Sequence, residues 1–252
     1  FCRKPGAIAD GSNGDVACDH YRRSAEDVAL MAELGVPNYR FSLSWPRIVP
    51  DGTGAVPEEG LAFYDRLVDD LLAKGIEPWV TLYHWDHPTD VQYRGGWLNR
   101  EIVGWFERYA EIVVDRLGDR VSKWMTLNEP QCFIGLGMSD GFHAPGLKLA
   151  LREVLTAGHH ALLAHGTAAQ VIRARAKKTP EVGWAPVGVT KTPFTDSEAD
   201  VAAAREATFG FYGRSFWNNA WWNDPVFFGE YPEAGLAAFG KDAPTVRPGD
   251  LE

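Results

Sequence analysis

The residues best suited to chemistry stand together in Thr126-Leu127-Asn128-Glu129-Pro130. A carboxylic acid directly follows an amide at the end of an apolar stretch, and Pro130 prevents that stretch from continuing as a regular ladder. A strand-end carboxyl group beside an amide that can hydrogen-bond a sugar hydroxyl suits protonation of a glycosidic oxygen. Such a task requires a carboxyl pKa raised toward neutrality. An isolated Asn-Glu-Pro is more often a loop glutamate that caps a helix or faces solvent, so its surroundings must decide. Two further groups, Arg40 and His84-Trp85-Asp86, lie in or just after other apolar runs. Taken singly, Arg40 could be a buried arginine satisfied by a salt bridge, and His84 a core histidine.

The elements that must position these residues alternate along the chain. Val36–Trp45 and Glu77–Trp85 are β-rich, and Lys123–Leu127 and Val182–Thr190 are weaker stretches of the same kind. Between them, apolar residues at helical spacing predict helices over Ala25–Leu34, stopped by Gly35, and over Leu61–Ala73, stopped by Gly75. Asn99 can cap a helix running through Leu117 to Gly118. Leu151–Ala176 and Ala199–Asn219 continue the pattern. Repeated strand–helix units predict a parallel sheet covered by helices, with no composition break that splits the chain into two domains. Ser44-Trp45, His84-Trp85-Asp86 and Asn128-Glu129-Pro130 fall at the carboxyl ends of successive strands, the face on which (β/α)8 barrels build active sites. No Gly-x-Gly-x-x-Gly or Walker-type loop opens a helix, so dinucleotide binding lacks its fingerprint.

Composition narrows the function classes. Hydrophobic residues make up 45% and charged residues 23% of 252, the balance of a soluble globular core. A net charge of −9 argues against a nucleic-acid partner. Three scattered cysteines make neither a disulfide framework nor a zinc site. No apolar run approaches the roughly 20 residues that span a bilayer, so no membrane partner is expected. With no signal-peptide pattern at the start, the expectation is a cytoplasmic setting.

Five segments, Tyr39–Ile48, Tyr83–Asp86, Gly95–Asn99, Thr126–Pro130 and His143–Gly146, resemble glycoside hydrolase family 1 in order and spacing. This is the β-glucosidase and 6-phospho-β-glycosidase family, and the likeness covers essentially the whole chain. It implies an α/β fold, an incomplete (β/α)8 TIM barrel holding roughly strands two to five with their helices. On that likeness the first strand and the carboxyl-terminal strands would be absent, and residues 1–252 would be part of a single catalytic domain. The implied activity is retaining β-glycoside hydrolysis by double displacement on a small-molecule β-glycoside or oligosaccharide. The resemblance further implies Glu129 as general acid/base and Asn128 as ligand of the 2-hydroxyl of the −1 sugar. His84 and Trp85 would line that sugar's pocket, and Arg40 would stand beside the nucleophile and help keep it ionised. No cofactor and no metal are implied. Alternatives are a 6-phospho-β-glycosidase of the same family and a non-catalytic glycan-binding fragment.

The chain also departs from the family pattern. Arg22-Arg23-Ser24 replace the usual histidine and arginine–tyrosine, and His87 replaces the usual leucine, an exchange expected to reshape the pocket rim. A retaining enzyme needs two carboxyl groups about 5–5.5 Å apart, and the family's Thr-Glu-Asn-Gly nucleophile segment does not occur here. The expectation is a piece of a longer polypeptide that aggregates or stays partly folded when expressed alone and hydrolyses no aryl β-glucoside. Other clusters are expected to be structural: Asp15, Asp19 and His20 as loop contacts, Glu233 at a helix start, and Trp45, Trp97 and Trp124 as packing groups. His159, His160 and His165 lie on a helix with no clean pair on one face, against a zinc site.

Overall fold

A computed structural model describes residues 1–252. In chain order the first elements are α1 (His20–Glu33), β1 (Asn38–Ser42), α2 (Trp45–Ile48), α3 (Glu58–Ala73) and β2 (Glu77–Tyr83). Then come α4 (Thr89–Tyr93), α5 (Ile102–Leu117), β3 (Lys123–Asn128), α6 (Pro130–Ile134) and α7 (Leu151–Arg175). β4 (Glu181–Ala185), α8 (Glu198–Phe209), α9 (Asn219–Phe227) and α10 (Glu233–Phe239) complete the order. The chain forms two compact units, one of Phe1–Asn128 with Thr167–Ala185 and the other of Glu129–Gly166 with Pro186–Glu252.

The first unit holds the sheet, four parallel strands in the order β1-β2-β3-β4. Parallel neighbours need crossover connections, and the helices that intervene supply them. Period-two alternation divides the strand residues into two faces. Phe41, Val80 and Trp124 stand side by side in register and are buried. On the opposite face Trp79, Lys123 and Glu181 are in register, and the Lys123 ammonium bonds the Glu181 carboxylate and lies 5.6 Å from the Trp79 ring centre.

The covering helices follow their apolar spacing. In α3, Leu61, Tyr64, Leu67, Val68 and Leu71 recur at three- and four-residue intervals and are buried. Gly75 ends that helix at φ 73°, a backbone region costly for a residue with a Cβ. Trp45 is fully buried, its ring stacked on Tyr109 at 5.3 Å and edge-on to Phe106. Trp97 and Trp124 are buried as well, in keeping with packing roles. α2 and α3 approach so closely that a Cβ on Gly60 would stand 2.2 Å from the carbonyl oxygen of Arg47. Gly60→Ala is therefore expected to lower stability by about 1–3 kcal/mol, the cost of overpacking a tight contact. Chemical denaturation of the variant and the parent protein measures it, and equal midpoints would show that the backbone yields without cost.

Sequence patterns misplace some boundaries. α1 begins at His20, five residues before the apolar pattern starts, because its first turn is polar and half-exposed. Asn99 accepts from the Glu101 backbone N–H at 3.0 Å in the turn that precedes α5, which itself begins at Ile102. The stretch expected as one helix over Ala199–Asn219 is helical only to Phe209: α8 ends there before an extended Gly210, residues 210–218 are irregular, and α9 starts after Asn218, whose side chain accepts from the Ala220 N–H. β4 stops at Ala185 rather than running to Thr190, because beyond it backbone groups pair with side chains instead of a strand (below).

The second unit is built around aromatic residues, with Trp221, Trp222, Tyr231 and Phe239 buried. Trp221 lies 4.4 Å from the Tyr231 ring and 4.6 Å from Phe239. His159 of α7 joins this core, Nδ1 lying 3.0 Å from the Tyr231 hydroxyl and Nε2 3.0 Å from the Asp250 carboxylate. Both ring nitrogens are thus engaged with protein groups. In the first unit, Asp15 and Asp19 pair with Arg3 and Arg22, and His20 Nδ1 meets Asp27 at 2.5 Å. These are the structural contacts that the sequence led us to expect. Glu233 is the first residue of α10.

Candidate active site

The middle of β1 and the carboxyl ends of β2 and β3 bring Arg40, His84, Trp85 and Asn128 together. Asn128, the last residue of β3, is 4% exposed, so its amide needs internal partners. Its Oδ1 accepts from Arg40 Nη2 at 2.5 Å, and its Nδ2 lies 3.2 Å from His84 Nε2. Its backbone carbonyl accepts from Trp85 Nε1 at 2.8 Å. An amide nitrogen can only donate, so Nε2 of a neutral His84 is the acceptor and Nδ1 carries the proton. That assignment makes Nδ1–H the donor to Ser42 Oγ, 3.1 Å away.

Arg40 completes the array by donating Nε–H to Thr81 Oγ1 at 3.0 Å. Both acceptors named for the guanidinium are neutral, so the salt-bridged alternative does not describe it here. His84 is exposed at the strand end rather than embedded in the core. Ser42 and Thr81 are members that sequence reasoning missed. The available signal was the two-residue alternation of Arg40 and Ser42, whose register partner on β2 is Thr81.

Two residues here take a left-handed backbone without being glycine. Trp85 has φ 80°, and Glu129 has φ 46° and ψ 65° as the residue that opens α6. Such a conformation costs a bulky residue of order 1–3 kcal/mol and persists only where its surroundings impose it. At Trp85 it turns the chain sharply after β2 and lets the indole reach back to β3. At Glu129 it ends β3 and starts α6, whose first turn is closed by Cys132 N–H on the Glu129 carbonyl at 2.9 Å. Pro130 suits the first helical position because it has no N–H to leave unpaired. A π-helical turn, Gly135–Ser139, continues directly from α6.

Neighbouring groups tune these turns. The Cys132 thiol hydrogen-bonds Glu129 and has its pKa pushed up to about 11, first by burial and then by the carboxylate's charge. Asp86 keeps part of its surface in water. Removal of much of its carboxyl from solvent nonetheless raises its pKa to about 6, against a hydrogen bond from Ser44 and the charge of Arg47. His87, the departure from the usual leucine, is held between the Tyr83 hydroxyl at 3.1 Å and Gln92 Oε1 at 2.8 Å. Burial lowers its pKa, with the Gln92 bond opposing.

Chemically, Asn128 is a buried amide fixed by a guanidinium and an imidazole, and the next residue in the chain carries a carboxyl group. Such an arrangement suits proton transfer at a polar, neutral ligand. A beta-glucosidase of Agrobacterium sp. is 46% identical over 251 residues, which is 100% of this chain and 53% of that protein. The solved structure of virulence factor SghA from Agrobacterium tumefaciens matches with a TM-score of 0.87 at 45% identity, covering 100% of this chain and 54% of its own. The family 1 β-glucosidase from Thermotoga maritima matches with a TM-score of 0.87 at 41% identity, covering 100% and 55%. The chain thus spans about half the length of the curated relatives it matches. The sequence model of glycosyl hydrolase family 1 matches residues 1–252 from end to end, and the chain belongs to that family.

Proposed function

We propose that this chain is the acid/base-bearing part of a retaining β-glycosidase of the β-glucosidase type. The observation that carries the reading is the convergence of Arg40, His84 and Trp85 on Asn128, with Glu129 the next residue in the chain. The relatives support it: they are named beta-glucosidases, and SghA is solved with its substrate analog salicin. Residues 1–252 then belong to one (β/α)8 catalytic domain, in which β1 to β4 are the second to fifth strands.

In this mechanism Asn128 holds the 2-hydroxyl of the sugar that will be released, and His84 and Trp85 border the same ring. Glu129 protonates the departing glycosidic oxygen while a glutamate outside these 252 residues attacks the anomeric carbon. Arg40 lends positive charge to that nucleophile and keeps it ionised. Water then attacks the covalent intermediate as Glu129, now a carboxylate, takes its proton. The 252 residues alone hold only one of the two carboxyl groups, and by themselves carry out no double displacement.

Two displacements at one carbon restore its configuration. Following hydrolysis of an aryl β-glucoside by NMR in the complete enzyme should show the β-anomer of glucose first, with the α-anomer appearing only by mutarotation. Initial release of the α-anomer would mean a single displacement and would end the proposal.

A further inference from the structure

Beyond β4 the chain is held in an unusual way. Val187 presents its N–H to Gln131 Oε1 at 3.2 Å and its carbonyl to Gln131 Nε2 at 2.9 Å. Two residues on, Val189 does the same with Asn219, N–H to Oδ1 at 3.3 Å and carbonyl to Nδ2 at 3.1 Å. Two further on, the Lys191 N–H reaches Thr208 Oγ1 at 2.9 Å. Alternate residues are therefore satisfied from one side, as along a sheet edge, but the partners are side chains. Each carboxamide imitates a peptide group and closes a two-bond ring with the backbone.

Gln131 stands apart from the other two clamp residues because of where it lies in the chain. It belongs to the first turn of α6, two residues after Glu129, and is only 2% exposed. That turn also contains the bond from Cys132 N–H to the Glu129 carbonyl. The first turn of a helix is its least constrained part, since its leading N–H groups lack intrahelical partners. The paired bonds from Gln131 to Val187 supply an external anchor. A left-handed backbone at a residue with a side chain needs such an anchor to persist.

We propose that Gln131 is a positioning residue for Glu129, fixing the first turn of α6 against Val187 so that the carboxyl group keeps its aim. This inference rests on the acid/base reading of Glu129. Proton transfer tolerates little displacement, and misplacement of about 1 Å costs on the order of 100-fold. Loss of aim should appear only where protonation of the leaving group limits the rate.

The test uses three variants of the complete enzyme, Gln131→Met, Gln131→Glu and Glu129→Ala, each assayed on an alkyl β-glucoside and on 2,4-dinitrophenyl β-glucoside. Gln131→Met keeps the side chain's length but loses both bonds. Its kcat on the alkyl glucoside should fall about 10- to 100-fold, while release of dinitrophenolate in the first turnover changes by less than about twofold. Gln131→Glu should show the same defect at neutral pH and recover toward acidic pH. A protonated carboxyl can again donate to the Val187 carbonyl and accept from its N–H, a recovery that a general loss of folding would not produce. Equal loss on both substrates, no loss on either, or no acidic recovery in Gln131→Glu would overturn the assignment. If Glu129→Ala itself shows no dependence on the leaving group, the acid/base reading fails instead, so the two failures are distinguishable.

Discussion

Replacing Glu129 by alanine in the complete enzyme is expected to lower kcat on alkyl β-glucosides by about 10²- to 10⁴-fold, the range that general acid–base assistance supplies. An alkoxide is a poor leaving group and cannot depart without a proton. Dinitrophenolate needs none, so formation of the covalent intermediate from 2,4-dinitrophenyl β-glucoside should proceed near the parent rate. Its hydrolysis should then stall, because water has lost the base that activates it. A burst of dinitrophenolate followed by slow turnover is the resulting signature. Azide, a nucleophile that needs no base, should relieve the stall and yield the β-glucosyl azide. A uniform loss on both substrates, without a burst and without a response to azide, would remove Glu129 from the proton-transfer role.

Asn128→Ala should have the next largest effect, about 10²- to 10³-fold in kcat/KM on a β-glucoside. Hydrogen bonds to the 2-hydroxyl that strengthen in the transition state are worth several kcal/mol, and each 1.4 kcal/mol is tenfold in rate. The substitution also strips Arg40 and His84 of a shared partner, since Asn128 accepts from one and donates to the other. A 2-deoxyglucoside separates these contributions. It has no hydroxyl for Asn128 to hold, so the parent enzyme already lacks that interaction and the variant should lose little more. The same fold-loss on both sugars would indicate that Asn128 acts through the pocket's architecture and not through contact with the substrate.

Much of this protein can be read without coordinates. The β-rich runs at β1 and β2 announce strands, and the three- and four-residue spacing along α3 states which face of that helix is buried, because water expels apolar side chains wherever they recur at the period of the backbone. Gly35 and Gly75 terminate helices at φ 70° and 73°, since only glycine takes that conformation without cost. The placement of His84-Trp85 and Asn128-Glu129 at strand ends is legible for the same reason: an apolar run announces where it stops.

Other features belong to the tertiary structure alone. Arg40 meets Asn128 across 88 residues of sequence, and Ser42 meets His84 across 42. No local period carries such pairings, which arise only when parallel strands settle in register. The left-handed turns at Trp85 and Glu129 have no compositional signal, because neither residue favours that backbone and the surrounding contacts impose it. Likewise the apolar run after β4 reads as more strand, yet Gln131, Asn219 and Thr208 take the hydrogen bonds that a neighbouring strand would have taken. Local chemistry decides which segments form and which side they bury. Only the assembled chain decides which polar groups, far apart in sequence, satisfy one another once water is excluded.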